Sequence, residues 1–165
     1  MTVLAFKALC DFPRGTIFSL LGRSYSEWAS ADPGLLQEWE RGWRQYDEDV
    51  HCNPDTIGLS GFVSCLAGSA IGFGSWDPRE FPTAHVGHNC ILPAFRGNGY
   101  GTVQLERITT LLRNAGFTRA VARTGDVAFF AAAKRMYESC GFVTVASHAS
   151  GSAAPFRVAE YQLVL

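Results

Sequence analysis

Apolar residues along the chain change repeatedly between strand-like and helix-like spacing. Residues 3–9 form a short segment rich in residues that favour β-strands, and the turn predicted at residues 11–13 marks the end of this strand. Apolar residues then recur at helical spacing up to about Ser30, and again after Asp32 and Pro33, which provide an N-cap and a first helical residue. The pattern predicts one strand followed by two amphipathic helices.

Three consecutive strands are predicted in the middle of the chain. Residues 57–67 alternate loosely, a turn follows at Gly68 and Ser69, and the run AIGFGSW continues as a hairpin partner. After a second turn region, the extended stretch AHVGHNCIL leads to Pro93. The prediction for this region is a meander of three strands.

Helices and strands alternate after Pro93. One helix follows a glycine-rich stretch and ends at Gly116, and a second ends at Gly141, each glycine being placed as a C-cap that releases a helix into a strand. Small residues at 148–155 form a predicted loop before an alternating final strand. Residues 84–146 are thus predicted to run strand, helix, strand, helix, strand, with the later elements at 117–124, 128–139 and 142–145, and a closing strand from Phe156.

Composition narrows the class of protein. With 165 residues, 47% of them hydrophobic and 18% charged, the chain is predicted to form one globular domain over residues 1–165. Its formal net charge of −1 gives no concentrated basic face, which argues against a nucleic-acid or membrane partner. The N-terminus lacks the order of a signal peptide, and no apolar run is long enough to span a bilayer.

The cysteines point to a reducing compartment. They are scattered and form no C-x-x-C pair, so neither a disulfide framework nor a zinc site is indicated. This usage is typical of buried thiols, and the sequence therefore predicts a cytoplasmic protein without a metal site. The five residues are Cys10, Cys52, Cys65, Cys90 and Cys140.

The stretch PAFRGNGYGT, residues 93–102, places three glycines just before a predicted helix. The N-terminus of a helix presents unpaired N–H groups and the positive end of the helix dipole, which favour phosphate oxygens. Glycines there remove Cβ atoms that would hold an anion off, and they let the loop turn tightly. The stretch lacks the Gly-Lys-Ser/Thr ending of a Walker loop and the G-x-G-x-x-G order of the dinucleotide fingerprint. It therefore predicts a phosphate-binding loop of a different kind.

Residues 96–101, Arg-Gly-Asn-Gly-Tyr-Gly, resemble the acyl-CoA loop of the GNAT superfamily of N-acyltransferases, whose motif is Gln/Arg-x-x-Gly-x-Gly/Ala. The segment MYESCGF is similar to the family's tyrosine-containing helix end. The resemblance is close over residues 84–143 and architectural elsewhere. It implies an α+β GNAT fold with a mixed, mostly antiparallel central sheet of about six to seven strands and about four flanking helices. The resemblance also implies that the fourth strand, which ends near Ile91, splays apart from the fifth strand, which begins near Phe117.

The resemblance also implies acetyl-CoA as the co-substrate. Exposed main chain at Cys90, Ile91 and Leu92 would pair with the pantetheine amides as an added strand does. Arg96 either shapes the following loop or meets a phosphate. The residues implied to hold the pyrophosphate are Gly97, Asn98, Gly99, Tyr100, Gly101 and Thr102.

Transfer of the acetyl group needs two proton-handling groups, because an amine attacks the thioester and a thiolate leaves. The resemblance assigns the acid to Tyr137, whose phenol stays protonated at neutral pH. For the base, a regular strand puts His85 on one face with Ile91 and His88 on the other, and the family places its base at the position of His85. A bulge would favour His88 instead, and a water chain is a third alternative.

One position departs from the family pattern. Many members carry a cofactor-contacting asparagine seven residues before the tyrosine, where this chain has Phe130. Asp126 or Thr124 is the expected replacement for that contact.

Candidates for the acceptor site lie before the acyl-CoA loop. In this architecture two N-terminal helices cover the acceptor, and here they carry Trp28, Trp39 and Trp43. The acidic run at 47–49 would attract a cationic amine. Further candidates lie in the turn before the histidine-containing strand: Trp76, Asp77 and Arg79.

Together these features predict an N-acetyltransferase that moves an acetyl group from acetyl-CoA to the primary amine of a small molecule by direct attack in a ternary complex. One alternative is a catalytically silent acyl-CoA-binding module that acts as a sensor or partner. Another is an acetyltransferase for protein N-termini or lysines. Neither a nucleic acid nor a membrane is an expected partner, and a homodimer is left open.

Overall fold

The computed structural model of the protein describes residues 3–29, 32–150 and 156–165. The chain divides into two units. The first comprises Met1–Ser75 and His88–Gln104, and the second comprises Trp76–Gly87 and Leu105–Leu165. A single domain over the whole chain stays a prediction.

Seven strands and five α-helices make up the described fold, and they occur in the order expected from the sequence pattern. The strands are β1 (Leu4–Ala8), β2 (Gly61–Leu66), β3 (Ser69–Asp77), β4 (Thr83–Ile91), β5 (Arg119–Gly125), β6 (Val143–Ala149) and β7 (Arg157–Val164). The helices are α1 (Thr16–Ser24), α2 (Ser26–Ala29), α3 (Pro33–Cys52), α4 (Tyr100–Asn114) and α5 (Ala131–Ser139).

The strands form one mixed sheet in the order β1-β2-β3-β4-β5-β7-β6. β1 with β2, β2 with β3, β5 with β7, and β6 with β7 pair antiparallel, whereas β4 and β5 pair parallel. The parallel pairing joins residues 83–86 to residues 119–122, and both strands continue beyond it. This topology confirms the predicted α+β fold with its mixed, mostly antiparallel sheet.

Two helices of the first unit, α1 and α3, begin where side chains cap their free N–H groups. Asp32 caps α3 by accepting the N–H groups of Gly34 and Leu35, each at 3.1 Å. Gly15 at the N-cap of α1 has no side chain to serve this purpose. The carboxylate of Asp47, which is buried in α3, accepts the N–H groups of Gly15 at 2.7 Å and Phe18 at 3.0 Å. The predicted acidic run therefore contributes its first residue to the packing of α1 on α3.

The helices of the second unit end at glycines, as predicted. Gly116 and Gly141 adopt positive φ angles of 84° and 86°, and each follows the end of a helix. The N–H of Phe117 then bonds to the carbonyl of Leu112, and that of Phe142 bonds to the carbonyl of Tyr137. These bonds complete the two helix C-termini and turn the chain into the next segment.

Four boundaries differ from the predicted ones. The first predicted helix is broken at Tyr25, which leaves helical geometry and stacks its ring on Trp43 at 5.6 Å, so α1 and α2 are separate. Residues 57–59 form a 3₁₀ turn before β2, and residues 128–130 form one before α5. The small-residue loop was predicted at 148–155, but residues up to Ala149 belong to β6, and residues 151–155 lie outside the described part of the chain.

No helix in the described ranges has both the length and the apolar character needed to cross a bilayer.

Candidate active site

The glycine-rich loop turns at two left-handed residues. Gly97 and Gly99 both have φ angles of +78°, a conformation that residues with a side chain rarely adopt. Among the described residues, and leaving aside the two adjoining ones, no atom lies within 4 Å of the position that a Cβ would take at either glycine. Backbone conformation is therefore a reason for these two glycines in addition to the predicted need for clearance.

Several backbone N–H groups of this loop make no hydrogen bond to the described residues of the protein. The helical bonding of α4 begins where the N–H of Val103 meets the carbonyl of Gly99 at 3.1 Å. Among the described residues, none of the six N–H groups from Gly97 to Thr102 donates a hydrogen bond within the fold. These groups lie at the positive end of the α4 dipole, where anions bind favourably. The arrangement is suited to the oxygens of a diphosphate.

Arg96 and Asn98 use their side chains to shape the loop. The Nε of Arg96 donates to the carbonyl of Ile91 at 3.0 Å, and its Nη2 donates to the carbonyl of Ser24. The Asn98 amide donates to the carbonyls of Phe95 at 3.2 Å and Arg96 at 3.1 Å. Of the two roles predicted for Arg96, these contacts favour shaping the loop.

The end of β4 already has several of its polar groups paired. The N–H of Leu92 donates to the carbonyl of Ile71 at 2.8 Å, and the carbonyl of Ile91 accepts from Arg96. Cys90 is buried beside α1 and α3, and burial raises the pKa of its thiol. The carbonyl of Cys90 also accepts a hydrogen bond from the side chain of Gln104 at 3.5 Å. Three of the main-chain groups that were expected to meet pantetheine are thus engaged within the fold.

A buried amide under the loop was missed by the sequence analysis. Gln104, in α4, is fully buried and accepts the hydroxyl of Ser64 at 2.5 Å. Its Nε2 donates to the carbonyl of Phe73 at 2.9 Å and to the side chain of Asn89. These bonds fix the start of α4 to β2, β3 and β4. The available signal was a glutamine within the otherwise apolar face of the predicted helix.

The two candidate bases have different surroundings. The Nε2 of His85 lies 2.8 Å from a carboxylate oxygen of Glu80, and its side chain is 26% exposed. His88 is half-buried, with its ring centroid 5.4 Å from that of Tyr46 in α3 and 5.6 Å from that of Phe73. Burial lowers the pKa of His88 to about 4, so its imidazole is neutral at pH 7.

Protonation of His88 is expected to destabilise the fold in acid. The ordinary pKa of the unfolded side chain is 6.5 and the folded value is about 4, so between these values the unfolded state binds a proton that the folded state excludes. The free energy of unfolding should therefore fall by about 2 to 3 kcal/mol as the pH drops through this window, with no contribution from His88 above it. Urea unfolding at a series of pH values between 7 and 4 measures the slope.

The variant that tests this prediction is His88→Gln, which should flatten the slope between pH 6.5 and 4. An unaltered slope in His88→Gln would show that another group titrates there.

Tyr137 lies in the second unit, near the end of α5. Its ring centroid is 5.5 Å from those of Phe142 and Tyr161, and the residue is buried. Burial and the neighbouring Tyr161 raise the pKa of its phenol, so the hydroxyl stays protonated at neutral pH. The side chain thus has the protonation state that the acid role requires.

An ion pair lies near the start of α5, close to Phe130, which replaces the family asparagine. The carboxylate of Asp126 lies 2.5 Å from the ammonium nitrogen of Lys134, and the backbone N–H of Asp126 donates to the carbonyl of Arg157. Phe130 packs edge-on against Phe129 at 4.9 Å between ring centroids. Asp126 therefore has a partner within the fold, and Thr124 lies in β5.

The aromatic acceptor candidates pack against one another. Trp28 stacks on Trp39 at 6.4 Å, and Trp39 lies 6.0 Å from Trp43, which is buried. In the acidic run, Asp47 caps α1 and Glu48 pairs with Arg14. These residues hold α1, α2 and α3 together.

Charged candidates outside the helices are also paired. Asp77 forms an ion pair with Arg79, which holds the pKa of the Asp77 carboxyl at about 2. Within the described residues, no three His, Cys, Asp or Glu side chains come together as a metal site.

Comparison with known proteins gives one family match. A model described as the acetyltransferase (GNAT) family matches residues 17–142. No curated protein sequence matches the chain.

Solved structures share the fold at low sequence identity. A proposed GNAT acetyltransferase from Desulfovibrio desulfuricans has a TM-score of 0.77 at 14% identity, with 99% of each chain covered. The proposed acetyltransferase yncA from Salmonella typhimurium, solved with its cofactor acetyl-CoA, has a TM-score of 0.66 at 22% identity over 99% of this chain and 94% of that one. The ribosomal-protein-S18-alanine N-acetyltransferase from Escherichia coli gives 0.65 at 16% identity, with 99% and 94% covered. These similarities show that this chain shares the fold of the three solved structures.

Proposed function

The chain belongs to the GNAT family of acetyltransferases, and from this premise we propose that it transfers an acetyl group from acetyl-CoA to the primary amine of a small molecule. The proposal treats residues 1–165 as one N-acetyltransferase domain that acts in the cytoplasm. The five cysteines support this location, since all are free thiols.

One observation carries the proposal: six consecutive N–H groups, from Gly97 to Thr102, are unpaired among the described residues and precede the first helical bond of α4. A diphosphate supplies several acceptor oxygens and two or more negative charges, which match both these donors and the helix dipole. The family's co-substrate carries such a diphosphate. These unpaired donors therefore support acetyl-CoA as the co-substrate of this chain.

The rest of the co-substrate would follow β4. Cys90 and Ile91 end β4 and Leu92 follows them, although the carbonyls of Cys90 and Ile91 and the N–H of Leu92 are already bonded. Contacts to pantetheine would then use the other main-chain groups near this end. Acetyl-CoA supplies the acyl group and the thiol that leaves.

The protein's own residues would handle the protons. Tyr137 would donate its phenolic proton to the sulfur as the thioester bond breaks, which its raised pKa permits because the group is protonated beforehand. An acceptor in its ammonium form must lose a proton before its nitrogen can attack. Either His88, whose imidazole is neutral at pH 7, or His85, which lies beside Glu80, would accept this proton directly or through a water molecule.

The test is release of free CoA thiol from acetyl-CoA across a panel of acceptors: monoamines, polyamines, amino acids, aminoglycosides and a peptide with a free N-terminus. We expect acetyl-CoA to raise the melting temperature and at least one small amine to accelerate thiol release. Acceleration by the peptide alone would replace the small-molecule acceptor with a protein one. Thermal protection without release for any acceptor would indicate the silent binding module.

A pair of glycine variants checks that the loop is the binding site. Gly99→Ala and Gly68→Ala both introduce a side chain at a positive φ with open space around it, Gly68 lying in the hairpin turn between β2 and β3. Both should lose similar stability, but only Gly99→Ala should lose thermal protection by acetyl-CoA. Equal protection in the two variants would remove the diphosphate from this loop.

A further inference from the structure

We propose that Arg96 couples the diphosphate loop to the junction between α1 and α2, so that binding of CoA at residues 97–102 also orders that junction. This inference rests on the proposed CoA site. It assigns Arg96 a positioning role and makes the helices before the sheet responsive to the co-substrate.

The guanidinium of Arg96 joins two segments that are distant in sequence. Its Nε bonds to the carbonyl of Ile91 at the end of β4, and its Nη2 bonds to the carbonyl of Ser24, which is 72 residues away. Among the described residues it has no carboxylate partner. Both of its bonds are charge-assisted, and the planar fork of arginine sets their relative direction.

Ser24 is the last residue of α1, and its carbonyl lies at the negative end of that helix. The chain leaves helical geometry at Tyr25, so this carbonyl stands at the end of α1, where the regular helical bonding stops. Arg96 supplies a charged donor at that position, and the Ser24 side chain is only 1% exposed. The helix end therefore has a cap that belongs to the loop.

The backbone of Arg96 is equally tied to the loop. Its N–H bonds to the carbonyl of Pro93, and its carbonyl accepts the side-chain amide of Asn98. An anion held by residues 97–102 would restrict the backbone that carries this fork. Arg96 would then lose less conformational entropy when its guanidinium bonds to the carbonyl of Ser24. By thermodynamic linkage, an ordered junction would in turn raise the affinity of the loop for the anion.

Arginine and lysine variants separate this role from a direct charge contact with phosphate. Arg96→Lys keeps the charge, but a lysine lacks the fork that reaches two carbonyls in one plane. Arg96→Gln removes both charge and fork. Arg23→Gln is the matched control, because it removes a positive charge one residue before Ser24 while the clamp stays in place.

Hydrogen exchange followed by mass spectrometry, on the full chain with and without CoA, tests the coupling. In the wild type and in Arg23→Gln, CoA should slow amide exchange both in residues 97–103 and in residues 24–29. In Arg96→Lys and Arg96→Gln, exchange at the junction should be roughly tenfold faster without CoA, and CoA should protect the loop alone.

Each other outcome overturns a defined part of the argument. Protection of the loop alone in the wild type would disprove the coupling and leave the CoA site standing. Junction protection restored by Arg96→Lys would show that charge, and not the fork, is what matters. Protection of neither segment in the wild type would disprove the CoA site itself, and the coupling with it.

Discussion

Replacing Tyr137 by phenylalanine is expected to slow acetyl transfer by about 10²-fold or more while CoA binds as before. The substitution removes the only group that we assign to protonating the departing sulfur. Its pKa is raised by burial, so the wild-type phenol is protonated at every pH at which the enzyme would work. Initial rates of thiol release at saturating acetyl-CoA measure the loss, and calorimetric titration with CoA measures binding.

The variant should fold normally, which makes its kinetics interpretable. Phenylalanine keeps the ring that packs 5.5 Å from Phe142 and 5.5 Å from Tyr161. Tyr161→Phe is the matched control, since it removes a buried hydroxyl from the stacked neighbour and should retain most of the rate. Tyr137→Phe with a wild-type rate would remove Tyr137 from the acid role.

The elements around the loop could be predicted because their determinants are local. Positive φ at Gly97 and Gly99 and the helix that begins at Tyr100 depend on residues adjacent in the chain. The same holds for Gly116 and Gly141, where each glycine ends a helix. Local conformational preferences of this kind can be predicted from the residues that adjoin each position in the sequence.

The partners of charged side chains could not be predicted in the same way. Arg96 was expected in the loop, but its bond to the carbonyl of Ser24 depends on where α1 ends in space. Asp47 was expected to attract a substrate amine, yet it caps α1 from 32 residues away. Such contacts depend on tertiary packing, which the spacing of residues along the chain does not encode.

The position of the first helix break has a similar origin. Apolar spacing continues through Tyr25, so the sequence predicts one helix to about Ser30. In the structure Tyr25 leaves helical geometry and its ring lies against Trp39 and Trp43 of α3. Packing between helices overrides a local pattern here, and the break leaves the buried carbonyl of Ser24 at the end of α1, where Arg96 donates a hydrogen bond to it.

Gly72 shows how close β3 comes to the end of β4, and its replacement by alanine should be strongly destabilising. A Cβ at Gly72 would lie 2.1 Å from the carbonyl oxygen of Cys90 and 3.0 Å from the Cα of Ile91. Both are backbone atoms, so relief requires the strands to move apart. We expect the free energy of unfolding to fall by about 3 kcal/mol, measured by urea denaturation.

The effect should reach the proposed co-substrate site, because Cys90 and Ile91 lie just before the loop and the carbonyl of Ile91 accepts a hydrogen bond from Arg96. Gly72→Ala should therefore lose CoA affinity even at temperatures where the protein remains folded. Gly42→Ala is the control. Beyond the adjoining residues and the backbone of α3, its Cβ would meet no atom of the described residues within 4 Å, and alanine should stabilise α3 by roughly 0.5 to 1 kcal/mol. If both variants unfold at the same urea concentration, β3 and β4 tolerate separation at this point, and the geometry of the loop does not depend on their close approach.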